Sequence, residues 1–539
     1  MSRSIQSVWI VTREYAGLAG AGGVKDVSRQ LAEALAGSGE TNVCVIMPRY
    51  GFMDPKALGF IEAGVGTQSV VIKETTLPRG FLVDMNYVER ERRESVALWQ
   101  ANMNGVQVYL VESERFAEKM GVYTYTAEEA KAQVWRQQGQ GHYDYFAMNI
   151  LLQKASLDTM ILLGEHPDII HCQDGHTATL PAMMRENSGY RQYFHTSAAV
   201  VTMHNAGVGY HQEVADLPFA QAITSLPRKV VENSLLAGKF DPFIAAASYA
   251  ILNTVSENYA RELQQSDEDV RTGWLGHALL AKGVTLAGVT NGIDPETFDP
   301  TRPEQLHLKA GFDVRKGHFE GKVQCKQDLL ERLNNRLGWK GVEQFGSLSF
   351  FPGEPLCTFI GRLTAQKGVD TLIESISNIL ATDATCRFLV FGSGEAIYEE
   401  QLKKLARQGY DRVCFLKGFD PLLANAIYAA GDLFLIPSQY EPCGLTDYMA
   451  QLLGNVPVVH RVGGLVKVID EETGFCYDED KAAALTLTLM RALTMYREEP
   501  ERFRGIQQAA VRRIDQKHTW QQVMDAYRAL YQQALTLIE

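Results

Sequence analysis

The chain has 539 residues, of which 46% are hydrophobic and 22% are charged, and its formal net charge is -12 at pH 7. A single hydrophobic core rarely grows beyond roughly 250–300 residues, so at least two domains are expected. The negative charge argues against a protein that binds nucleic acid mainly by electrostatic attraction.

The eight cysteines are scattered along the chain and form no C-x-x-C pair. This pattern favours reduced thiols in a cytoplasmic protein over a disulfide framework or a zinc site. The first apolar run is too short for a signal peptide, and no run reaches the roughly 18 apolar residues of a membrane span. We therefore expect a cytoplasmic α/β protein that binds neither a membrane nor nucleic acid.

The chain begins with a βαβ pattern around a glycine-rich loop. Ser7–Val11 is typical of a buried strand, a helix with apolar positions at helical spacing follows, and residues 43–47 form the next apolar run. The loop contains Gly17, Gly20, Gly22 and Gly23. These glycines do not spell G-x-G-x-x-G, so a dinucleotide fingerprint is not supported. Gly22 and Gly23 would still let the backbone approach a diphosphate closely, and the alternative is a tight turn without a ligand.

Polar clusters follow three predicted strands in the first half of the chain. Asp174 and His176 come after the strand at residues 168–171, and His204 follows the strand at 198–203. A third strand, within residues 248–255, ends in Ser-Glu-Asn-Tyr. Repetition at one sheet edge is what a shared binding cleft requires. The alternative for each histidine is a structural residue with its hydrogen bonds satisfied.

Turn residues cluster at 289–300, and residues 301–320 are polar and irregular, which indicates a domain boundary. Strands at 356–360, 387–391 and 413–416, each followed by a helix, then restart the alternation. Two doubly wound, Rossmann-like α/β domains facing an interdomain cleft are the simplest architecture. We place the first domain at residues 1–288 and the second at 289–518.

The stretch from residue 438 to 465 has the layout of a ligand site at a strand end. An apolar strand stops before Glu441, Cys443 and Gly444 lie in a tight turn, and helical spacing begins at Leu445 and Thr446. Free N–H groups at such a helix start attract an anion such as phosphate. An ordinary crossover, with Glu441 as a solvated loop residue, is the alternative.

Two cations in the second half suit a diphosphate. Arg362 and Lys367 lie between a strand end and a helix start, where a bidentate fork and a point charge could stabilise a leaving diphosphate. Phe419 follows another strand and could cover a nucleobase, or it could be a plain core residue. Asp478, Glu479 and Asp480 precede a helix and are interpreted as ordinary capping, so we predict no metal and no cofactor.

Several motifs together resemble those of the bacterial glycogen synthases and plant starch synthases, which are retaining glycosyltransferases of the GT-B fold. The motifs are P-D-I-I-H-C-Q-D-G-H-T, H-N-A-G-V-G-Y, T-V-S-E-N-Y-A-R-E-L, G-V-T-N-G-I-D, G-R-L-T-A-Q-K-G, E-P-C-G-L-T and R-V-G-G-L. The resemblance covers nearly the whole chain, and E-P-C-G-L-T with the R-L-T-x-Q-K-G loop is its most specific part.

The resemblance implies transfer of glucose from ADP-glucose or UDP-glucose to the 4-hydroxyl end of an α-1,4-glucan, with retention. Arg362 and Lys367 would neutralise the leaving diphosphate, and Glu441 would contact the donor glucose. The remaining implied site residues are His204 at the glucose, Asp174 beside the acceptor, Asn291 near the sugar, Phe419 against the base, and Cys443 and Thr446 lining the pocket. The terminal helix at 519–539 would cross back onto the first domain.

One departure from the family pattern concerns the first loop. The family's loop reads K-x-G-G-L, whereas this chain has Gly20 at the position of the lysine that contacts the donor phosphate. Loss of one charge-assisted contact costs about 1.5–3 kcal/mol. Lys25 lies just beyond, but from a helix its side chain is expected to point elsewhere unless the loop is rearranged. The alternatives are therefore a transferase with another acceptor, or a catalytically weak, glucan-binding relative.

Overall fold

The computed structural model describes residues 4–538. It divides into two compact units, the first running to Gly292 and including the chain from Val523, and the second spanning Ile293–Gln522. The polar stretch at residues 301–320 is not a linker, because its Leu306, Phe312 and Val314 are buried in the core of the second unit. The stretch contains few apolar residues, but these are buried, so its mostly polar composition did not reveal that it packs against the core.

The strands of the first unit are β1 (Ser7–Val11), β2 (Asn42–Pro48), β3 (Ile61–Glu62), β4 (Gln68–Ile72), β5 (Thr75–Asp84), β6 (Arg93–Met103), β7 (Val106–Glu112), β8 (Ile169–Gln173), β9 (Ala198–Met203), β10 (Leu235–Leu236), β11 (Lys239–Phe240), β12 (Ile251–Thr254) and β13 (Ala287–Gly288). Its helices are α1 (Val24–Ala36), α2 (Glu114–Ala117), α3 (Ala127–Ala132), α4 (Tyr145–Leu163), α5 (Leu180–Glu186), α6 (Ser188–Tyr193), α7 (Leu217–Thr224), α8 (Arg228–Asn233), α9 (Pro242–Ala246), α10 (Glu257–Gln265) and α11 (Leu275–Ala281).

Seven parallel strands form the centre of the first sheet, in the spatial order β7-β2-β1-β8-β9-β12-β13. Numbered by their position in the chain, the first six have the 3-2-1-4-5-6 order of the Rossmann fold. Strands β3 to β6 extend the sheet by antiparallel pairing beyond β7. The order changes direction between β1 and β8, which is the position where such sheets bind ligands.

The second unit contains β14 (Val342–Gly346), β15 (Leu356–Ile360), β16 (Arg387–Gly392), β17 (Val413–Gly418), β18 (Leu433–Ile436), β19 (Val456–His460) and β20 (Phe475–Tyr477). Its helices are α12 (Pro303–Leu306), α13 (Glu320–Asn334), α14 (Val369–Thr382), α15 (Ala396–Gln408), α16 (Pro421–Ala430), α17 (Thr446–Leu452), α18 (Ala482–Glu498) and α19 (Pro500–Lys517), and α20 (Trp520–Thr536) follows them. Short 3-10 helices span Asp267–Thr272, Pro295–Phe298, Ala365–Lys367, Tyr410–Arg412 and Gly463–Lys467.

The second sheet repeats the order of the first. Its parallel strands run β17-β16-β15-β18-β19-β20, and β14 is added antiparallel at the β17 edge. The order is again 3-2-1-4-5-6, and it changes direction between β15 and β18. The predicted α/β class with two doubly wound, Rossmann-like halves is therefore confirmed.

Two helices of the first unit explain features of the sequence. Helix α4 is long and apolar enough to cross a membrane by length and composition alone, but 78% of its apolar window is buried inside the protein. Helix α20 closes the chain, and the hydroxyl of its Tyr531 lies 2.9 Å from Nδ1 of His171 on β8. Because His171 is buried without a charged partner, its pKa is lowered to about 3 and the ring is neutral.

Candidate active site

In the second unit, predicted site residues follow the two strands at which the sheet order changes direction. Arg362 comes two residues after β15, and its side chain is exposed. Glu441 lies in the loop after β18. Because β15 and β18 are parallel neighbours, both loops leave the same edge of the sheet. A strand does precede Glu441, but it ends at Ile436, five residues before Glu441.

The carboxylate of Glu441 has two partners. Nζ of Lys367 donates to its Oε2 at 2.5 Å, and Oγ of Ser438 donates to the same atom at 3.1 Å. Burial raises the pKa of Glu441, but Lys367 and Ser438 together outweigh burial and hold the pKa below its usual value. Glu441 is therefore an ionised acceptor at neutral pH, which is suitable for binding sugar hydroxyls.

Glycines bring the loops around Glu441 into backbone contact. Gly368 has φ +65°, and a Cβ there would lie 1.9 Å from the carbonyl oxygen of Pro437. Gly463 has φ +49°, and its Cβ would lie 2.0 Å from the carbonyl oxygen of Glu441. The adjacent Gly464 donates its N–H to that same oxygen at 2.9 Å. Side chains at these positions would push Lys367 and Glu441 apart.

Lys467 is a member of this site that the sequence did not indicate. Its Nζ donates to the carbonyl oxygens of Cys443 and Gly444, each at 2.5 Å, and lies 3.1 Å from Oδ1 of Asp447. Burial nevertheless raises the pKa of Asp447 to about 6. Lys467 therefore holds the Cys443–Gly444 turn through its carbonyl oxygens. In the sequence, the Gly463–Gly464 pair that precedes Lys467 was the signal that this segment belongs to the site.

The remaining predicted residues of the second unit differ in how much of each is exposed. Cys443 is buried, whereas Leu445 and Thr446 are half-buried at the start of α17. Helix α17 is short, with 7 residues. Phe419, directly after β17, is 80% exposed, so the alternative of a plain core residue is wrong.

The acidic run at residues 478–480 forms ordinary surface ion pairs. Asp478 lies 3.5 Å from Arg461, and Glu479 accepts from Lys481 at 2.8 Å. Within residues 4–538, no three His, Cys, Asp or Glu side chains are grouped as ligands for a metal ion. The eight cysteines are all buried as free thiols.

In the first unit, Asp174 and His204 lie side by side at the ends of β8 and β9. Asp174 has φ +64°, and its Oδ1 accepts the backbone N–H of His204 at 3.3 Å. Burial raises the pKa of Asp174 to about 7, although the backbone N–H groups of Asn205 and His204 lower it. The carboxyl group can therefore bind or release a proton near neutral pH.

His204 is a neutral imidazole. Its Nε2 lies 2.6 Å from Oε1 of Gln173. Because an amide oxygen only accepts, Nε2 carries the proton and donates this hydrogen bond, and Nδ1 is unprotonated. Burial lowers the pKa of the ring to about 4, so the charge-free form persists at neutral pH. The prediction that polar residues after β8, β9 and β12 lie at one sheet edge is confirmed, because these strands are parallel neighbours.

The glycine-rich loop is organised by Glu14, which the sequence analysis did not single out. Oε2 of this buried carboxylate accepts the N–H groups of Ala21 at 2.8 Å and Gly22 at 3.1 Å. The hydroxyl of Tyr123 donates to Oε1 at 2.5 Å. Gly22 therefore uses its N–H within the loop, and Gly23 is the N-cap of α1 with φ -72°. A carboxylate three residues after the end of a buried strand was the signal for this role.

Lys25 contradicts the expectation that its side chain points away from the loop. It is the second residue of α1, and a Cβ placed on Gly20 would lie 2.3 Å from Cδ and 2.8 Å from Cβ of Lys25. The aliphatic stem of Lys25 therefore covers the position where a side chain at residue 20 would begin. Its Nζ pairs with Asp26. The glycine at position 20 makes room for this arrangement.

The side chain of Asn291 is buried. Its Oδ1 accepts the hydroxyl of Tyr527 on α20 at 3.4 Å, and the side chain is 2% exposed. The contact joins the end of the first unit's main chain segment to its terminal helix.

Known proteins with similar sequences cover almost the whole chain. A family model of the starch synthase catalytic domain matches residues 7–279, and a model of group 1 glycosyl transferases matches residues 354–495. A glycogen synthase of Anaeromyxobacter dehalogenans is 30% identical over 95% of this chain and 95% of its own. A glycogen synthase of Moorella thermoacetica is 28% identical over 98% of this chain and 96% of its own.

Solved structures show the same fold. The catalytic domain of starch synthase IV from Arabidopsis thaliana, bound to ADP and acarbose, superposes with a TM-score of 0.78 at 23% identity. The match covers 99% of this chain and 100% of that chain. A sucrose-phosphate synthase from Thermosynechococcus elongatus has a TM-score of 0.57 at 18% identity, with coverage of 99% and 100%.

Proposed function

Since this chain belongs to the starch and glycogen synthase family of glycosyltransferases, we propose that it transfers glucose from ADP-glucose to the non-reducing 4-hydroxyl end of an α-1,4-glucan, with retention. The ADP bound by the Arabidopsis starch synthase supports ADP-glucose over UDP-glucose as the donor. The free, buried thiols of all eight cysteines support a cytoplasmic location.

The observation that carries this proposal is the grouping of Lys367, Glu441 and Ser438 after β15 and β18. An ionised carboxylate beside an ammonium group provides both an acceptor for sugar hydroxyls and a cation for a phosphate oxygen. Arg362 adds a second, exposed cation from the same loop as Lys367. We assign donor glucose to Glu441 and the diphosphate to Arg362 and Lys367.

Transfer requires one bond to break and one to form at the anomeric carbon. The bond between this carbon and the diphosphate oxygen breaks, and a bond to the acceptor's 4-oxygen forms on the same face of the sugar. The acceptor proton passes to an oxygen of the departing diphosphate. Arg362 and Lys367 stabilise the charge that develops on that leaving group.

The first unit contributes hydrogen-bonding groups to the proposed reaction. His204, neutral and fixed by Gln173, is assigned to a hydroxyl of the transferred glucose. Asp174, whose pKa is about 7, is assigned to the acceptor. Phe419, an exposed aromatic ring after β17, is assigned to the nucleobase of the donor.

Lys25 supplies the positive charge that Gly20 does not provide to the first loop. Its stem covers the position of a side chain at residue 20, and we assign its ammonium group, which pairs with Asp26, to the donor phosphate. This arrangement favours an active transferase over a glucan-binding relative without activity. Cys443, Gly444, Leu445 and Thr446 form the proposed pocket wall beside Glu441, and Asn291 is assigned to the sugar.

The test is a donor and acceptor assay on the purified full chain. ADP-glucose and UDP-glucose are each incubated with glycogen, and both nucleoside diphosphate release and glucan elongation are measured. We expect elongation with ADP-glucose, and a loss of at least about tenfold to a hundredfold for Glu441→Ala and Arg362→Ala. Glu479→Ala, which removes an exposed carboxylate of another Lys–Glu pair, is the control and keeps parental activity.

Three outcomes contradict parts of the proposal. No turnover with either donor overturns it entirely. Donor hydrolysis without elongation of glycogen indicates a transferase with a different acceptor. Full activity of both Glu441→Ala and Arg362→Ala overturns the assignment of the site but not of the reaction.

A further inference from the structure

Both ring nitrogens of His211 face hydrogen-bond acceptors in the interior of the first unit. Nδ1 lies 2.8 Å from Oδ2 of Asp241, and Nε2 lies 2.7 Å from the carbonyl oxygen of Ala206. The ring is 4% exposed, and Asp241 is fully buried. Neither His211 nor Asp241 is among the groups assigned to glucose transfer.

The two partners require His211 to carry two ring protons. A carbonyl oxygen can only accept, so Nε2 donates to Ala206. The proton between Nδ1 and Asp241 stays on the ring, because imidazole is a stronger base than a carboxylate, with an ordinary pKa of about 6.5 against about 3.9. A neutral ring would place a lone pair against one of these oxygens. His211 is therefore an imidazolium whose buried charge is balanced by Asp241.

The charged groups around His211 favour this protonation state. Burial lowers the pKa of the ring, but Asp241, the carbonyl of Ala206 and Glu213 outweigh burial and hold the pKa above its usual value. Glu213 also pairs with the exposed Lys239, whose Nζ lies 3.3 Å from Oε1. The imidazolium therefore persists to higher pH than that of an ordinary histidine.

The hydrogen bond from Nε2 of His211 to the carbonyl of Ala206, which we name the clamp, fixes the backbone next to His204. Ala206 lies two residues after His204, and its N–H donates to the hydroxyl of Tyr259 on α10 at 3.0 Å. Its carbonyl is held by His211, which Asp241 anchors to the start of α9. The peptide groups on both sides of Ala206 are thus tied to different helices.

The same loop packs against the turn that carries Asp174. A Cβ placed on Gly175 would lie 2.5 Å from the carbonyl oxygen of His211 and 2.9 Å from that of Tyr210. No side chain fits between the loop and the turn, so a displacement of residues 206–211 is transmitted to Asp174. His211 therefore lies where the loops after β8 and β9 touch.

We propose that His211 is a positioning residue for glucose transfer, which through the clamp sets the positions of His204 and Asp174. This inference rests on the proposed function, because the roles of His204 and Asp174 come from it. When the imidazolium loses a proton, the proton beside the Asp241 carboxylate is retained, and Nε2 presents a lone pair to the Ala206 oxygen. The clamp then opens and transfer slows, since a misplacement of about 1 Å can cost about a hundredfold in rate.

The variants separate the clamp from the charge. In Asp241→Asn, the amide oxygen can still cap α9 and the NH2 group can donate to Nδ1, so a neutral ring keeps its proton on Nε2 for Ala206. The double variant Asp241→Asn, His211→Phe removes the clamp without leaving a buried carboxylate unpaired. His277→Phe is the matched control, because Nδ1 of His277 also lies 2.8 Å from an oxygen of Asp269, but its side chain is 40% exposed. Melting temperatures above the assay temperature verify that each variant is folded.

The first readout is the pH dependence of kcat and of the KM for ADP-glucose in these four proteins. We expect the parent to lose activity as pH rises through the pKa of His211, and Asp241→Asn to retain activity without this loss. The double variant should lose about tenfold to a hundredfold in kcat at every pH, with a smaller change in KM. His277→Phe should follow the parent. Asp174, whose pKa is about 7, titrates in all four proteins, so the differences between their profiles report His211.

The second readout is nitrogen-15 NMR of the full chain labelled at histidine, with the His211 signals assigned by their absence from the double variant. Two protonated ring nitrogens in the parent at pH 7, and one in Asp241→Asn, would support the proposal. A neutral ring in the parent, or equal kcat in Asp241→Asn and the double variant, overturns it and leaves the proposed function intact. If the parent transfers glucose from neither donor, the proposed function and this role of His211 fail together.

Discussion

Nζ of Lys367 lies 2.5 Å from Oε2 of Glu441, and this ion pair joins the loops that follow two neighbouring parallel strands. Burial raises the pKa of the carboxyl group, but Lys367 together with Ser438 outweighs burial, so the carboxylate remains ionised. One side chain therefore fixes the protonation state of the other.

Lys367→Met should raise the pKa of Glu441, because burial then acts without the opposing ammonium group. A depressed carboxyl pKa stabilises the fold above the unfolded pKa of about 4.3 and this contribution is lost as pH falls through the folded pKa. We expect the acid limb of the kcat/KM profile to move to higher pH, with activity reduced by about tenfold to a hundredfold at neutral pH. Lys481→Met, from the exposed pair with Glu479, should leave the profile unchanged. An unshifted acid limb in Lys367→Met would show that Glu441 does not control it.

Lys25→Ala should lower kcat/KM for the donor by about tenfold to a hundredfold, since one charge-assisted contact is removed. Gly20→Lys alone should recover nothing beyond the parent, because its Cβ meets the Lys25 stem at 2.3 Å. The double variant Gly20→Lys, Lys25→Ala removes this clash and returns a cation to the loop. Steady-state kinetics with varied ADP-glucose measure all three. Parental kinetics in Lys25→Ala would exclude a role for this lysine.

Gly368→Ala should disturb the site through the backbone. A methyl group there meets the carbonyl oxygen of Pro437 at 1.9 Å, in addition to the strain of φ +65°. Gly338→Ala is the matched control in the same unit, because its φ is +63° and nothing lies within 4 Å of a Cβ. We expect Gly338→Ala to lose about 1 kcal/mol of unfolding free energy and Gly368→Ala to lose more, together with activity. Equal losses in denaturant titrations would contradict the close contact.

Asp174→Asn should change how stability depends on pH. The folded pKa of Asp174 is raised to about 7 by burial, so the unfolded chain loses this proton first as pH rises. Between about pH 4 and pH 7 this group alone lowers the free energy of unfolding by up to about 1.4 kcal/mol per pH unit. The amide oxygen of asparagine can still accept the His204 N–H, as the carboxyl oxygen of Asp174 does, and asparagine tolerates φ +64°. The free energy of unfolding of Asp174→Asn minus that of the parent should therefore be larger at pH 7.5 than at pH 4.5.

The measurement is a pair of denaturant titrations at those two pH values. Comparing variant with parent cancels the buried histidines, whose lowered pKa values oppose the effect of Asp174. Asp158→Asn is a useful second variant, because burial also raises the pKa of Asp158, to about 6. A pH-independent difference between Asp174→Asn and its parent would show that Asp174 is ionised throughout.

The strands and long helices could be predicted because local pattern and tertiary environment agree. Strands β9 and β15 are continuous apolar runs buried on both faces, and their predicted bounds match the structure. Helix α4 is apolar around its circumference and could also be found. The strand order can in principle be predicted, because short crossovers between parallel strands have one handedness and allow few arrangements.

The positions of Glu14, Lys25 and Lys467 could not be predicted in the same way. Each depends on how a loop folds back on itself, which the pattern of apolar residues does not specify. Glu14 and Lys467 bind N–H and carbonyl groups of loops whose conformation the sequence pattern does not define. Lys25 turns over Gly20 because the loop brings residue 20 against the first turn of α1.

Strand order also separates two properties that could be altered in the laboratory. Phe419 follows β17, whereas Lys367 and Glu441 follow β15 and β18, and β16 stands between β17 and β15. A change at residue 419, which we assign to the nucleobase, therefore need not disturb the residues that we assign to the diphosphate and the glucose. Libraries at that single position can be screened against different nucleotide sugars while the transfer step is kept constant.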